Sequence, residues 1–252
     1  MENVVREAPA RNDTLPAVPD ETRLLADQVA YYRARATEYD AWWFRTGRFD
    51  RGPDNNAAWH ADVAVVERAV DTMLAQARPR SVLELACGTG LFTRRLAPHA
   101  ESVTAVDASP EVLAINQSRV AAPNVRYVEA DLFAWHPQAL YDCVFMSFWL
   151  SHVPRARFAA FWAMVRDALA PGGFAYVVDS AHDPTSTAAN HPTPDREAGI
   201  VTRKLDDGRE FRIVKVFYKP ATLVARLRSV GFDAGIGQTA RYFIYGEARA
   251  AG

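Results

Sequence analysis

The sequence predicts an α/β protein of the Rossmann-like, doubly wound type with a mostly parallel sheet. From residue 80 onward, short runs rich in β-branched residues alternate with helical patterns, and the connections between them are short. Three of these runs are almost continuously apolar, which is typical of parallel strands that helices cover on both faces. We therefore expect such a sheet with an antiparallel last strand, an N-terminal helical lid and an inserted β-hairpin.

The first part of the chain predicts a flexible tail followed by two helices. Residues 1–20 are poor in large apolar side chains and contain three prolines, so they cannot bury enough surface to offset the entropy of ordering. A second helix is predicted after Asn56 and ends before Pro79. A spacing of four and three residues places six side chains on one face of the first helix: Leu25, Val29, Tyr32, Ala36, Tyr39 and Trp43.

The remaining elements follow from changes of hydrophobic period. Strands are predicted at residues 81–85, 102–106, 125–130, 142–146 and 174–178. The clearest helix covers residues 155–170, and the turn Pro171-Gly172-Gly173 ends it. Two later strands at residues 200–205 and 209–217 flank Asp206-Asp207-Gly208, which is a hairpin signal. A short helix at residues 220–230 and a strand at residues 241–246 complete the chain.

The composition limits the classes of partner. The 252 residues carry 29 Lys and Arg against 30 Asp and Glu, and 49% are hydrophobic, which suits a globular domain with a sizeable core. A net charge of −1 disfavours nucleic acid and anionic membranes, since both need a basic surplus. No run is apolar enough for a membrane span or a signal peptide, so we expect a cytoplasmic protein. With Cys87 and Cys143 as the two cysteines, neither disulfides nor a metal site is predicted.

A glycine-rich turn follows the first strand, with the sequence LELACGTG at residues 83–90. A dinucleotide fingerprint needs glycines at positions 86, 88 and 91, but Ala86 and Leu91 occupy two of them, which disfavours a nicotinamide oxidoreductase. No Gly-Lys-Ser/Thr follows, so a P-loop is excluded. Gly88 and Gly90 still form a tight turn that a ligand can approach, and Glu84 can accept hydrogen bonds from a cationic group.

Acidic residues also stand at the ends of the second and third strands. Asp107 can hold both hydroxyls of a ribose, while Asp131 can accept from an adenine amino group and Leu132 can donate its backbone N–H. Because the carboxyl ends of parallel strands meet at one edge, these groups and Glu84 are expected to face one crevice. They suit a ligand with an adenosine, a positive charge and no phosphate, which indicates S-adenosylmethionine.

These motifs resemble those of the class I S-adenosylmethionine-dependent methyltransferases. The turn at residues 83–90 is similar to their first motif, and LAPGG at residues 169–173 is similar to the turn before their fifth strand. The resemblance implies S-adenosylmethionine as the cofactor and adds Ala108 and Ser147 to its site. The N-terminal helix of this family commonly closes over the cofactor, which implies lid contacts from Tyr31 and Tyr39; alternatively, both rings belong to the helix core.

The sheet, hairpin, last helix and last strand are predicted to make one domain with an inserted element rather than two domains. With the resemblance, residues 21–252 are expected to form a single methyltransferase domain. Within it, residues 21–78 are expected to form the N-terminal helices and the lid. Residues 79–180 are expected to bind the cofactor. The loop and hairpin at residues 181–219 are expected to bind the methyl acceptor.

The hairpin carries the main prediction about the acceptor. If its loop has three residues with Gly208 in the left-handed region, Arg203 pairs with Phe211 and Val201 with Ile213. A two-residue loop would scatter the apolar residues over both faces, so amphipathicity favours the three-residue loop. Arg203 and Lys215 then project from an otherwise apolar face. There each needs a protein carboxylate or an anionic ligand, unless both side chains bend out to solvent.

The hairpin sequence LDDGREFRIVKVF at residues 205–217 resembles that of the phosphonate O-methyltransferases of dehydrophos biosynthesis. Residues 31–40, 131–135, 149–154 and 157–162 share this resemblance. It implies that Arg203 and Lys215 hold a phosphonate. A tyrosine that also contacts the acceptor in those enzymes has no match here, where residues 42–51 read WWFRTGRFDR instead.

The sequence thus predicts an O-methyltransferase of secondary metabolism that acts on a phosphonate or carboxylate oxygen of a small, anionic molecule. An anionic oxygen is already a nucleophile, so orientation in a dry site suffices. The alternative acceptor is a neutral hydroxyl or amine, for which His152 is the candidate base, although His152 could instead only bond nearby backbone. A cofactor-binding regulatory protein without turnover is an alternative from another class. For His182, Asp183 and His191 a plain loop is favoured over a metal site.

Overall fold

The computed structural model describes residues 21–193, 195 and 198–251, so the tail predicted at residues 1–20 lies outside the described residues. The strands in this part of the chain are β1 (Ser81–Leu85), β2 (Ser102–Asp107), β3 (Val125–Glu129), β4 (Tyr141–Ser147), β5 (Leu169–Ser180), β6 (Ile200–Lys204), β7 (Glu210–Val214), β8 (Phe232–Gln238) and β9 (Phe243–Ala250). The described helices are α1 (Glu21–Ala34), α2 (Tyr39–Phe44), α3 (Pro53–Ala77), α4 (Thr93–Leu96), α5 (Pro110–Val120), α6 (Phe158–Ala168) and α7 (Pro220–Ser229).

Seven of the strands form one sheet in the order β3-β2-β1-β4-β5-β9-β8, and β6 and β7 form a separate hairpin. The strands from β3 to β5 are parallel. The last strand, β9, is antiparallel to both of its neighbours, β5 and β8. The prediction of a Rossmann-like, mostly parallel sheet with an antiparallel last strand and an inserted hairpin is therefore confirmed.

Helices pack on both faces of this sheet. Successive side chains of β4 point to opposite faces: Met146 lies in a buried cluster with Trp162 of α6, and Phe145 lies in another with Val66 of α3. Helices thus cover both faces of the sheet at its central strands, which a ligand can approach at their ends.

The first predicted helix is divided in two, so the prediction of one continuous face through Trp43 is wrong. Helix α1 ends at Ala34, and the next turn is closed by bonds from Arg35 N–H to Tyr31 O at 2.9 Å and from Glu38 N–H to Arg35 O at 2.8 Å. No glycine or proline marks this break. It accompanies a tertiary contact instead, because the Arg35 guanidinium packs over the rings of Tyr31 and Tyr39.

Several other boundaries differ from the prediction, and one strand was not predicted. Strand β7 ends at Val214 rather than at residue 217, so Lys215 follows the strand, and β9 covers residues 243–250 rather than 241–246. Helix α3 begins at Pro53, which suits a first helical turn, rather than after Asn56. Strand β5 begins at Leu169, so the Pro171-Gly172-Gly173 segment belongs to the strand. Strand β8 was not predicted, because it lies at the sheet edge, contains two glycines and is half exposed.

The turn after β1 is tightly packed against α5, which gives a prediction about stability. Gly90 has φ +88°, and a Cβ there would lie 2.6 Å from Oδ1 of the buried Asn116. The Asn116 amide is fixed by its bonds to Gly88 O and Thr93 Oγ1. Gly90→Ala is therefore expected to lower the free energy of unfolding by about 2–4 kcal/mol in urea denaturation, from overpacking plus backbone strain.

The matched control is Gly172→Ala, because Gly172 has φ +80° and a Cβ added there would meet no atom within 4 Å. It carries the backbone strain alone and is expected to cost about 1 kcal/mol. Equal losses in the two variants would show that the contact with Asn116 does not matter.

Candidate functional site

A cavity of about 340 Å³ opens at the carboxyl ends of β1, β2 and β4, below α1. We call it the cofactor cavity. Eight of the residues predicted to bind the cofactor line it: Tyr39, Ala86, Gly88, Asp107, Ala108, Asp131, Leu132 and Ser147. The structure thus brings together residues from separate segments of the chain, as the convergence of parallel strand ends requires.

Asp107 organises this cavity. Its Oδ2 accepts from Gly88 N–H and its Oδ1 from Ser109 N–H, both at 3.0 Å. Burial raises the pKa of the Asp107 carboxyl, although the backbone N–H bonds act in the opposite direction. Asp131 lies at the next strand end, where its Oδ1 accepts from Phe133 N–H at 2.9 Å.

Glu84 lies beneath the glycine-rich turn and is fully buried. Its Oε2 accepts from Thr93 Oγ1 at 2.6 Å, while its Oε1 has no hydrogen-bond partner among the described residues. Burial raises the pKa of this carboxyl to about 8. Glu84 itself does not line the cofactor cavity. Of the residues that do, Asp107 and Asp131, together with a turn unsuited to a pyrophosphate, fit S-adenosylmethionine.

Three residues predicted to contact the cofactor do not line the cofactor cavity: the buried Glu84, Gly90 and Tyr31. Gly90 faces Asn116 of α5 and does not line the cofactor cavity. Tyr31 is buried against Phe211 of the hairpin, with ring centroids 5.8 Å apart. Its neighbour Tyr32 lines the cofactor cavity instead. The sequence signal for Tyr32 was its place on the apolar face of the first helix.

A second cavity of about 70 Å³ adjoins the first. We call it the cationic cavity, after the basic side chains that line it: Arg35, Arg203 and Lys215. Four side chains line both cavities: Tyr32, Tyr39, Phe148 and His152. The two cavities therefore meet at these side chains, and a group held in one can reach a group held in the other.

Lys215 is 8% exposed and sits in a polar network. Its Nζ donates to Ser151 Oγ at 2.8 Å and to Ser180 Oγ at 3.3 Å, and lies 3.9 Å from Asp179 Oδ1. Burial lowers the pKa of Lys215 to about 8, because it outweighs the attraction of the Asp179 carboxylate. A protein carboxylate thus partly balances this cation, which was one of the open possibilities from the sequence.

The predicted register of the hairpin is confirmed. Arg203 pairs with Phe211 and Val201 with Ile213, and Gly208 has φ +90°. Both the Arg203 and Lys215 side chains line the cationic cavity rather than pointing to solvent. Among the residues that the structure describes, none forms a hydrogen bond or salt bridge with the Arg203 guanidinium. Burial lowers the pKa of Arg203, but the group stays charged.

His152 lies where the two cavities meet. Its Nδ1 is 2.7 Å from the carbonyl oxygen of Val214, which can only accept, so Nδ1 carries the proton. Its Nε2 then accepts from the Tyr32 hydroxyl at 2.7 Å. Burial, with the charge of Lys215, holds the pKa of His152 well below its usual range. His152 is therefore neutral near pH 7, and its basic nitrogen is already occupied.

The loop after β5 holds the three residues considered for a metal. Asp183 pairs with Arg241 at 2.7 Å, and His191 Nε2 lies 3.1 Å from the backbone nitrogen of Lys204. In the described part of the chain, no group of three or more His, Cys, Asp or Glu side chains is placed to hold a metal ion. The described helices also include none with the length and apolar character needed to cross a membrane.

Comparison with known proteins identifies the family. Residues 82–173 match the family described as a methyltransferase domain. With the fold and the cofactor cavity, this match defines a class I S-adenosylmethionine-dependent methyltransferase, and the chain belongs to that family. It is similar over most of its length to DhpI. The DhpI–SAH complex has 39% sequence identity and a TM-score of 0.71, covering 90% of this chain and 97% of DhpI. The DhpI–SAM–HEP complex has a TM-score of 0.70 at the same identity and coverage.

Other matches are more distant or cover less of the chain. Nodulation protein S from Rhizobium tropici is 30% identical over 124 residues, which are 48% of this chain and 51% of the relative. The chain spans about half the length of the curated relatives it matches. The structure of the N-methyltransferase NodS from Bradyrhizobium japonicum matches with 19% identity and a TM-score of 0.52. The match covers 73% of this chain and 86% of NodS. At that identity it shows the fold alone.

Proposed function

We propose that this chain is an O-methyltransferase that methylates an acidic oxygen, on a phosphonate or a carboxylate, of a small molecule. One observation carries the proposal: Arg203 and Lys215 line a cavity that meets the cofactor cavity, and Arg203 has no carboxylate partner among the described residues. A buried cation without a partner is costly, so an anionic acceptor stabilises the site. The similarity to DhpI, solved with SAM and HEP, supports the same proposal.

In this proposal one set of residues binds the cofactor in the cofactor cavity, and another set binds the acceptor in the cationic cavity. S-adenosylmethionine, when bound, supplies an electrophilic methyl group on a sulfonium. Asp107 and Asp131 would hold its ribose and adenine, while Arg203 and Lys215 hold the acceptor. Aromatic side chains between the cavities exclude water and leave the two ligands facing each other. In this proposal residues 21–78 and 181–219 enclose the acceptor, and residues 79–180 bind the cofactor.

A matched set of acceptors tests the proposal. Ethylphosphonate, propionate, 1-propanol and propylamine present similar alkyl groups with different acceptor atoms. With methyl-labelled S-adenosylmethionine, we expect labelled product from ethylphosphonate or propionate, and at least tenfold less from the alcohol and the amine. Faster methylation of the alcohol or the amine would contradict the proposal. Cofactor binding without any methylated product would favour the non-catalytic alternative.

The pKa of Lys215 gives a prediction about pH. Because that pKa is lowered to about 8, the ammonium loses its proton, and with it its charge, as the pH rises through 8. For a carboxylate acceptor, whose own charge is constant in this range, kcat/KM is expected to fall by about tenfold above pH 8. The measurement is kcat/KM against pH for wild type and Lys215→Arg. The arginine stays charged, so its profile is expected to lack this alkaline decline.

The neutral-acceptor alternative predicts the opposite slope. A base must lose its proton to act, so the rate would rise with pH and then level off. The His152 pKa lies well below 6.5, so that rise would fall in the acid range. A rate that rises between pH 7 and 9 in both proteins would contradict the role of Lys215. The bond from Tyr32 to His152 Nε2 also leaves His152 without a free basic nitrogen for an acceptor.

A further inference from the structure

Arg35 is a buried cation that the proposed function has not yet used. It lies in the turn between α1 and α2, is 8% exposed and lines the cationic cavity. Its guanidinium carbon lies 5.0 Å from the ring centroid of Tyr39, 5.4 Å from that of Phe49 and 5.7 Å from that of Tyr31. These rings fix the plane of the guanidinium, but cation–π contacts do not neutralise it.

Arg35 has no carboxylate partner in the described part of the chain. Its Nε is buried without a hydrogen bond. The nearby Glu38 is already paired, since its Oε2 lies 2.8 Å from Arg48 Nη2 and its Oε1 accepts from Asp206 N–H. The Arg35 charge is therefore left for a ligand to balance.

The charges around the cationic cavity do not cancel. Arg35, Arg203 and Lys215 contribute three positive charges, and Asp179 beside Lys215 contributes one negative charge. Glu38 also attracts Arg35, but its partner Arg48 repels Arg203, so that pair adds no net charge. The neutral His152 adds none. An excess of two positive charges in a buried cavity is unfavourable unless a ligand supplies the opposite charge. A carboxylate supplies one charge, whereas a fully ionised phosphonate supplies two.

We propose that Arg35 is a third anion-binding residue, and that it makes the cavity selective for a doubly charged acceptor such as a phosphonate dianion. This inference rests on the proposed function and chooses between the two acceptor classes it allows. Because Coulomb energy scales with charge, each cation of the cavity favours a dianion over a monoanion of the same shape. Arg35 therefore sets specificity as well as affinity.

Two probes of the same shape test it: ethylphosphonate and ethanesulfonate. Calorimetry uses the S-adenosylhomocysteine complex at about pH 7.5, where Lys215 keeps most of its charge. At that pH the sulfonate carries one charge, and the phosphonate can lose its second proton when the cavity binds the dianion. We expect wild type to bind the phosphonate at least tenfold more tightly. Arg35→Gln should weaken phosphonate binding by about 10–100-fold and sulfonate binding only a few-fold. Arg35→Lys should restore part of the preference for ethylphosphonate over ethanesulfonate. The control is Arg33→Gln, because Arg33 is an exposed residue of α1 that pairs with Glu111. This variant should leave the affinity for both probes unchanged.

The outcomes separate the possible roles of Arg35. Equal weakening of both probes in Arg35→Gln, or no weakening, would overturn the inference and leave the proposed function standing. If wild type binds neither probe but binds propionate, the inference fails and the proposed function stands; if it binds none of the three, both fail. Weaker binding of S-adenosylhomocysteine to the variant would assign Arg35 to the cofactor and overturn the inference. Arg35→Met should raise the Tm of the ligand-free protein, because it removes an uncompensated buried charge; a lower Tm with unchanged phosphonate affinity would show a purely structural role.

Discussion

Removing the charges of Arg203 and Lys215 together is expected to lower kcat/KM for an anionic acceptor by about 1000-fold. Each residue alone should cost about 10–100-fold, since hydrogen bonds to charged groups contribute about 1.5–3 kcal/mol. The losses should not simply add, because both side chains line one cavity. The measurement is kcat/KM and acceptor affinity for Arg203→Met, Lys215→Met and the double variant.

The hairpin provides matched controls for this experiment. Lys204 lies on β6 next to Arg203, and Arg212 lies on β7, the strand that Lys215 follows. Both are exposed, and neither lines the cationic cavity. Lys204→Met and Arg212→Met should leave kcat/KM within about twofold of wild type, since exposed charges contribute little. If these controls lowered kcat/KM as much as the cavity variants do, the loss would come from the change in net charge rather than from the cationic cavity. Unchanged S-adenosylhomocysteine binding in all variants would show that the cofactor cavity is intact.

The second large effect is expected at Asp107. Its carboxylate lines the cofactor cavity and accepts from two backbone N–H groups. Asp107→Ala should weaken S-adenosylhomocysteine binding by about 100-fold or more, because the proposed charge-assisted hydrogen bonds to the ribose would be lost together with the shape of the turn. Calorimetry with S-adenosylhomocysteine measures this directly.

Asp142 is the matched control for Asp107. Its Oδ2 also accepts from two backbone N–H groups, those of Arg80 and Ser81, but it does not line the cofactor cavity. Asp142→Ala should lower stability and leave cofactor affinity unchanged. If Asp107→Ala and Asp142→Ala weakened the binding equally, the loss would come from general destabilisation rather than from the cofactor site.

The sequence predicted those features that depend on local chemistry and short-range pattern. The acidic residues at strand ends could be assigned to one cavity, because parallel strands bring their carboxyl ends to one edge. The hairpin register could be predicted, because only a three-residue loop places Val201, Phe211 and Ile213 on the same face as Arg203. Both ends of strand β1 were predicted at the correct residues, since a change in the hydrophobic period of the sequence marks them.

Features that depend on tertiary packing could not be predicted in this way. The break between α1 and α2 contains no helix-breaking residue, so the sequence does not show where the first helix ends. One signal was present: Tyr31, Arg35 and Tyr39 are spaced by four residues, which is typical of side chains that share a helix face. The contact of Lys215 with Asp179 joins positions 36 residues apart, and no local pattern relates them.

One measurement tests the proposed acceptor chemistry most directly. The acceptor 2-hydroxyethylphosphonate carries an acidic oxygen and a neutral hydroxyl in one molecule, so both compete for the same methyl group. With ¹³C-methyl S-adenosylmethionine, the proposal predicts that the labelled carbon becomes coupled to phosphorus as a phosphonate methyl ester in the NMR spectrum. A methyl ether without that coupling would contradict it, because the hydroxyl would then be the oxygen that the site activates.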